Sequence, residues 1–145
     1  SELKSKPMIT LGEELEILKS YLMIEKIRFG DRLQVILPNI DDAMEVMIPS
    51  FTLQPIVENA IKYGYNTVDN MIQIRITAET NDKSLTLRIY DSGPPFSENM
   101  HSGYGLSSIA KKLKVLYPDR HTFSFINEPE KCVEIVFGTE SYKTS

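Results

Sequence analysis

Residues 54–64 of this chain read QPIVENAIKYG, and the apolar side chains in and next to this stretch recur at helical spacing. Such spacing places an apolar stripe on one face of a helix, where it packs against a core. The stripe consists of Leu53, Ile56, Val57, Ala60 and Ile61. Asn59, Lys62 and Tyr63 follow the i, i+3, i+4 spacing on another face, which predicts that their side chains stand together.

The polar face of this helix has the side chains that a magnesium-bound polyphosphate needs. Asn59 offers a neutral oxygen to a metal ion, and Lys62 offers a positive charge to phosphate oxygens. The alternative is an ordinary amphipathic helix with a solvated polar face that ends at Gly64. The stretch by itself leaves both interpretations open.

Length and composition restrict the class of protein. The chain has 145 residues, enough for one domain with a single core, and its net charge of -4 argues against a nucleic-acid partner. The single cysteine, Cys132, predicts a buried thiol in a reducing compartment. No apolar run approaches the ~20 residues that span a bilayer. Because the chain opens at Ser1 without an initiator Met, we expect it to be a piece of a longer protein.

Hydrophobic periodicity predicts the elements around the central helix. A leading helix is expected from Thr10 or Gly12 to Phe29, and its broad apolar arc predicts that part of it faces another domain or subunit. Residues up to Met8 are expected to form a frayed lead-in, and residues 39–42 a polar turn. Strands are expected at 32–37, 45–48, 71–78, 85–90, 122–126 and 132–137.

Two further helices complete the predicted fold. The central helix is expected to start near Ser50, with Thr52 as its cap if Pro55 is to lie in the first turn. The last helix begins near Leu106 and ends before Pro118. This order predicts an α+β fold, a two-layer sandwich with helices packed on one face of a mixed β-sheet.

A second polar motif, Asp91-Ser92-Gly93, follows the predicted strand 85–90. A carboxylate at the end of a strand accepts a hydrogen bond from a nucleobase amine, and a glycine nearby leaves room for the ring. The alternative is a simple Asx turn, which is common at strand ends.

A third motif, Gly103-Tyr104-Gly105-Leu106, opens the last predicted helix. Glycines at a helix N-terminus expose backbone N–H groups to which phosphate binds. The alternative is a flexible loop whose glycines bind nothing.

The three motifs, in this order, resemble the Bergerat-type (GHKL) ATP-binding domain. Residues 11–15 (LGEEL), 21–32 (YLMIEKIRFGDR) and 48–62 (IPSFTLQPIVENAIK) narrow the resemblance to the LytS/YehU-type sensor histidine kinases of bacteria. The resemblance extends from about Thr10 to Phe137.

The resemblance implies a role for each motif residue. Asn59 would hold magnesium on the ATP phosphates, with Glu58 as a polar or metal-organising neighbour, and Lys62 would contact phosphate. Asp91 would accept from the adenine amino group. The implied cofactor-binding residues are Asn59, Lys62, Tyr63, Asp91, Gly93, Gly103, Tyr104, Gly105 and Leu106. The segment 94–102 would be a short lid over the nucleotide.

Three positions differ from the sequence patterns of the kinase family and of the related topoisomerase-like ATPases. Pro95 replaces the second glycine of Asp-x-Gly-x-Gly, and Ser108 stands where an Asn is frequent, which predicts weak nucleotide binding or a degenerate kinase. Pro55 occupies the position of the hydrolytic Glu of topoisomerase-like ATPases. This favours phosphoryl transfer to a protein over ATP hydrolysis.

The implied protein is a two-component sensor histidine kinase. Residues 1–30 would be the end of a linker or dimerisation region with the leading helix, and residues 31–145 the ATP-binding catalytic domain. The domain would phosphorylate a His on an upstream dimerisation domain of its homodimer, for relay to a response regulator. It would be the cytoplasmic part of a membrane-anchored protein. His101 and His121 are expected to be structural or surface residues. A degenerate nucleotide-binding module and a pure interaction module remain alternatives.

Overall fold

Three longer helices and a five-stranded sheet form the body of the protein. The computed structural model describes residues 7–39, 41–97 and 106–139. Their elements are β1 (Met8–Thr10), α1 (Leu11–Phe29), β2 (Leu33–Ile36), α2 (Asp41–Met44), β3 (Met47–Pro49), α3 (Gln54–Tyr63), β4 (Ile72–Thr80), β5 (Ser84–Asp91), α4 (Ser107–Leu116), β6 (His121–Ile126) and β7 (Cys132–Gly138). In this part of the chain, none of the helices combines the length and apolar character that a membrane span requires.

The main sheet is mixed, as the sequence predicts. Its strand order is β2-β4-β5-β7-β6, with β2 parallel to β4 and every other pair antiparallel. A separate antiparallel pair joins β1 to β3, with Ile9 opposite Ile48. The expectation that Met8 ends a frayed lead-in is therefore wrong, because Ile9 and Ile48 are both buried in the core and draw the segment into a strand.

The core lies between one face of the sheet and the helices. Alternate residues of the central strands are buried, for example Ile74 and Ile76 on β4 and Leu87 on β5. The helices contribute a matching set of buried side chains: Leu11, Leu15, Leu18, Leu22, Ile56, Val57, Ala60, Ile61, Ile109 and Leu113. The predicted apolar stripe of α3 is thus confirmed, as is the two-layer α+β architecture. The buried leucines of α1 belong to this same core.

The start of α3 differs from the prediction. The helix begins at Gln54 rather than near Ser50, with Pro55 in its first turn. Thr52 is not its cap, since the Thr52 hydroxyl donates to the Pro49 carbonyl at 2.5 Å. The carboxylate of Glu14 on α1 instead accepts from the backbone N–H groups of Phe51 at 3.0 Å and Leu53 at 2.7 Å. A side chain from a distant helix therefore does the capping.

Two features of the first half concern apolar side chains. Where a polar turn is expected at 39–42, residues 41–44 form the short helix α2, because Ala43 packs fully buried in the core.

On α1, Ile24 and Ile27 are 66% and 84% exposed, so part of the broad apolar arc of this helix lies outside the core.

Candidate functional site

A small cleft forms where α3 meets the end of β5 and the start of β7. Its lining consists of Ile56, Asn59, Ala60, Tyr63, Asp91, Phe96, Leu106, Lys131 and Val133. The fold therefore brings together four of the residues that the sequence singles out, from three separate motifs: Asn59, Tyr63, Asp91 and Leu106. Gly103, Tyr104, Gly105 and His101 lie outside the described residues.

The polar residues of α3 do not all face this cleft. Glu58 and Lys62 line a different pocket beside α1, together with Arg28 and Arg32. Residues four apart share one side of a helix, so 59 and 63 point one way and 58 and 62 another. The ammonium of Lys62 lies 5.1 Å from the centre of the neighbouring Tyr63 ring, at the boundary between the two pockets.

Asp91 is the most constrained polar residue of the cleft. Its Oδ1 accepts from the Gly93 N–H at 2.9 Å and from the Lys131 ammonium at 2.6 Å. The side chains of Lys131 and Asp91 are only 13% and 8% exposed. The antiparallel register explains this contact: Tyr90 of β5 pairs with Cys132 of β7, so the next residues outward, Asp91 and Lys131, face each other. No local pattern singles out Lys131 in the sequence.

Two glycines let the loop after β5 approach the end of α3. A Cβ atom on Gly93 would lie 2.5 Å from the Gly64 Cα, and one on Gly64 would lie 2.2 Å from the Ala60 carbonyl oxygen. Real Cβ contacts are not that short, so both positions require glycine. In the described structure the missing side chain of Gly93 makes room for backbone; its predicted role in admitting a nucleobase stays a prediction.

Ser92, between the two motif residues, ties this loop to its surroundings. Its hydroxyl donates to the Gly64 carbonyl at 3.0 Å and accepts from the Gln73 N–H at 3.0 Å. The position of Asp91 is therefore held by contacts to α3, β4 and β7 together. The sequence shows Ser92 only as part of a turn and does not indicate this role.

Phe96 covers the cleft from the outside. Its backbone N–H donates to the Asn127 side-chain oxygen at 2.8 Å, and the Asn127 amide donates back to the Phe96 carbonyl at 3.1 Å. Its ring meets Phe125 edge-on at 5.3 Å and lies 4.6 Å from the Lys131 ammonium. The sequence indicates Phe96 only as one residue of the predicted lid 94–102, and it does not indicate Asn127.

The cleft suits an adenine ring in chemistry but not in size. A carboxylate acceptor between the apolar walls of Ile56 and Val133 matches a flat base with an amino group. With Phe96 and Lys131 in place, however, the free space is about 20 Å³, room for about one water molecule. Asn59, on the α3 wall, offers the amide oxygen that a magnesium ion accepts as a ligand.

The two remaining predicted residues, His121 and Cys132, lie outside the cleft lining. His121 Nδ1 makes a 2.6 Å contact with the Tyr117 carbonyl at the start of β6, in agreement with a structural role. Cys132 is buried as predicted, and burial, followed by the nearby Glu134 charge, raises the pKa of its thiol.

Comparison with known proteins finds sensor kinases among the relatives of this chain. The sensor histidine kinase BtsS of Escherichia coli K12 is 35% identical over 128 residues, which cover 88% of this chain and 23% of that protein. The sensor protein LytS of Oceanobacillus iheyensis is 35% identical over 101 residues, covering 68% of this chain and 17% of LytS. A family model described as histidine kinase matches residues 1–33.

The chain belongs to the sensor histidine kinase family. It spans about a quarter or less of the length of these two sensor kinases. This confirms the resemblance to the LytS-type kinases drawn from residues 11–15, 21–32 and 48–62.

Solved histidine kinase structures share the fold. The catalytic domain of histidine kinase ThkA superposes with a TM-score of 0.69 at 16% identity, covering 91% of this chain and 94% of that one. ThkA in complex with the response regulator protein TrrA matches with a TM-score of 0.64 at 15% identity, over 91% of this chain and 41% of that one.

Proposed function

We propose that this domain binds ATP with magnesium and transfers the γ-phosphoryl group to a phosphoacceptor His of its own sensor kinase. One observation carries the proposal: the fold brings Asn59 and Asp91, from two separate motifs, to the walls of one cleft in a sensor histidine kinase chain. Phosphoryl transfer requires chiefly positioning and charge neutralisation, which such a cleft supplies.

Each residue of the cleft has a task in this proposal. Asp91 accepts the adenine amino group, and the apolar walls from Ile56 and Val133 hold the base. Asn59 and Tyr63 face the phosphates, with Asn59 as the magnesium ligand. When bound, magnesium neutralises phosphate charge. Gly103, Tyr104, Gly105 and Leu106 would line the triphosphate.

Glu58 and Lys62 do not line the cleft, so their proposed roles differ from those of the cleft residues. Both line the pocket beside α1, although Lys62 lies at the boundary near Tyr63. A Lys side chain is long and flexible, so Lys62 reaches a phosphate group by changing its side-chain conformation. Glu58, which accepts from Gln54 on its own helix, acts as a polar neighbour.

The partners and the location of the full-length protein are part of the same proposal. The phosphoacceptor His lies on an upstream dimerisation domain of a homodimer, and a response regulator receives the phosphoryl group. The ThkA–TrrA complex supports the second step by fold similarity. The full-length protein is membrane-anchored with this domain on the cytoplasmic side, as expected of a sensor kinase.

A degenerate nucleotide-binding module is the second candidate. The observation in its favour is the 2.6 Å contact of Lys131 with Asp91, together with the small free space in the cleft. The two candidates differ in transfer: the kinase phosphorylates the upstream His, whereas the degenerate module only binds nucleotide.

Calorimetric titration with a non-hydrolysable ATP analogue, with and without magnesium, tests the site. Asn59→Ala should abolish the magnesium-dependent part of the affinity, whereas Asp91→Ala should weaken ATP and ADP alike, with or without magnesium. Asp82→Ala, which removes an exposed carboxylate in the turn between β4 and β5, outside the cleft lining, serves as the control. Equal, small effects of both cleft variants would contradict the proposed site. Autophosphorylation of the full-length protein by radioactive ATP then separates the kinase from the degenerate module.

A further inference from the structure

Lys131 contacts the carboxylate that the proposed function assigns to the adenine amino group. Its ammonium contacts Asp91 Oδ1 at 2.6 Å, and both side chains are largely removed from solvent. A buried ammonium is costly unless it is paired, and removing the partner of such a pair leaves an uncompensated charge. An adenine amino group must therefore compete with an ammonium for Asp91, or Lys131 must leave when the base enters.

Phe96 occupies the space that the base needs. The cleft retains about 20 Å³ of free space, enough for about one water molecule and far less than a purine. The Phe96 ring packs edge-on against Phe125, and the Phe96 backbone makes two reciprocal hydrogen bonds to the Asn127 side chain. The base therefore has room only when Phe96 has moved away.

The two side chains hold each other. The Lys131 ammonium lies 4.6 Å from the centre of the Phe96 ring, within the range of a cation–π contact, while its other contact is Asp91. When Phe96 leaves, Lys131 loses the ring; when Lys131 leaves, Phe96 loses the cation. Residues in contact in this way respond to substitution non-additively.

We infer that Phe96 and Lys131 form a plug in the adenine subsite and that opening this plug sets the affinity of the domain for adenine nucleotides. The inference rests on the proposed function, because it takes Asp91 as the acceptor of the base. A ligand that binds only the open form has an apparent affinity reduced by the fraction of open molecules. Variants that lack the plug should consequently bind more tightly, the opposite of what loss of a structural contact predicts.

Magnesium–ADP titrated calorimetrically against the domain tests the inference. Phe96→Ala and Lys131→Met should each lower Kd by about tenfold, as expected if roughly one molecule in ten is open. The double variant should gain less than the product of the two single effects. Lys131→Arg keeps a cation beside Asp91 and should bind as weakly as the wild type. The same gains should appear in EDTA, since the plug touches the base subsite rather than the magnesium ligand Asn59.

Two control variants match the plug residues. Phe123→Ala removes a ring that also contacts Phe125, at 5.2 Å, but does not line the cleft. Lys114→Met removes an exposed lysine of α4. Both should leave Kd unchanged.

The outcomes separate the inference from the proposed function. If the wild type binds ADP and either plug variant binds no more tightly, the plug is refuted while the nucleotide site stands. Failure of every protein, plug variants included, to bind at millimolar ADP would refute both. Tightening by both variants, with no change in the controls or in Lys131→Arg, would establish the plug.

Discussion

Glu14 shows how much one side chain contributes to the frame of the site. It is 2% exposed, and its two carboxylate oxygens accept the N–H groups of Phe51 and Leu53 just before α3. These N–H groups have no partner within the helix, so Glu14 fulfils the task of an N-cap from a different element. Burial is the larger influence on this carboxyl and raises its pKa above the ordinary value of 4.5, while the hydrogen bonds to the backbone act in the opposite direction.

The raised pKa of Glu14 predicts a pH dependence of stability. Above pH 4.5 the folded state holds the Glu14 proton longer than the unfolded state, so this group's contribution to the free energy of unfolding falls as pH rises through the folded-state pKa. The free energy of unfolding of the wild type minus that of Glu14→Gln should therefore decrease as pH rises from about 4.5, and should then level off above the folded-state pKa. Urea denaturation measures both values. If the same difference instead increases with pH, the hydrogen bonds from the backbone N–H groups lower the pKa of Glu14 by more than burial raises it.

At the scale of the element, α1 has two apolar surfaces with different surroundings. Leu11, Leu15, Leu18 and Leu22 lie in the core, at most 8% exposed. Met23, Ile24 and Ile27 are 69%, 66% and 84% exposed on the last turns of the helix. The helix starts in a capping box, in which Thr10 and Glu13 bind each other's backbone N–H groups. The capping box and the four core leucines thus determine its position, and its last turns leave other apolar side chains outside the core.

Substitutions on the buried and the exposed apolar surfaces of α1 should lower the free energy of unfolding by different amounts. Leu18→Ala should lower the free energy of unfolding by roughly 2–5 kcal/mol, because it removes fully buried methyl groups and leaves a cavity. Ile27→Ala should change it by less than about 0.5 kcal/mol, since the side chain is mostly in solvent. Urea denaturation of the domain measures both. A large loss for Ile27→Ala would reveal that this surface is covered in solution, and sedimentation would then show an associated species.

At the scale of the whole molecule, the cleft belongs to no single element. Asn59 comes from α3, Asp91 from the end of β5 and Lys131 from the position just before β7. The order β4-β5-β7 places β5 in the middle of the sheet, and its register with β7 sets Asp91 opposite Lys131. A ligand in the cleft would therefore contact parts of the fold that are far apart in the chain.

Because the cleft depends on the whole fold, nucleotide binding should stabilise the domain as a unit. At about ten times its Kd, magnesium–ADP should raise the free energy of unfolding by about 1.4 kcal/mol, the mass-action value for a ligand that binds only the folded state. Urea denaturation with and without nucleotide measures the effect. In Asn59→Ala the additional gain from magnesium should vanish. An equal gain from magnesium in Asn59→Ala would place the metal elsewhere.

The sequence alone determined most of the helices and strands and the motif residues of this protein. Its helical stripe at Leu53–Ile61, the alternating strands around Ile74 and Leu87, and the motifs containing Asn59 and Asp91 are local patterns, because each depends on residues a few positions apart. The resemblance built on these patterns led to the family and to the fold that the structure has.

Only the tertiary structure decided which groups meet. Three contacts join residues that are far apart in the sequence, so local spacing cannot predict them. They are the hydrogen bond from the start of α3 to Glu14, the close approach of Gly93 to Gly64, and the contact of Lys131 with Asp91. Strand register determines the last of these: a shift by one residue would turn Lys131 to the other face of the sheet. Strand register and helix docking depend on how the entire core packs. The sequence by itself therefore does not predict which residues occupy the proposed adenine subsite.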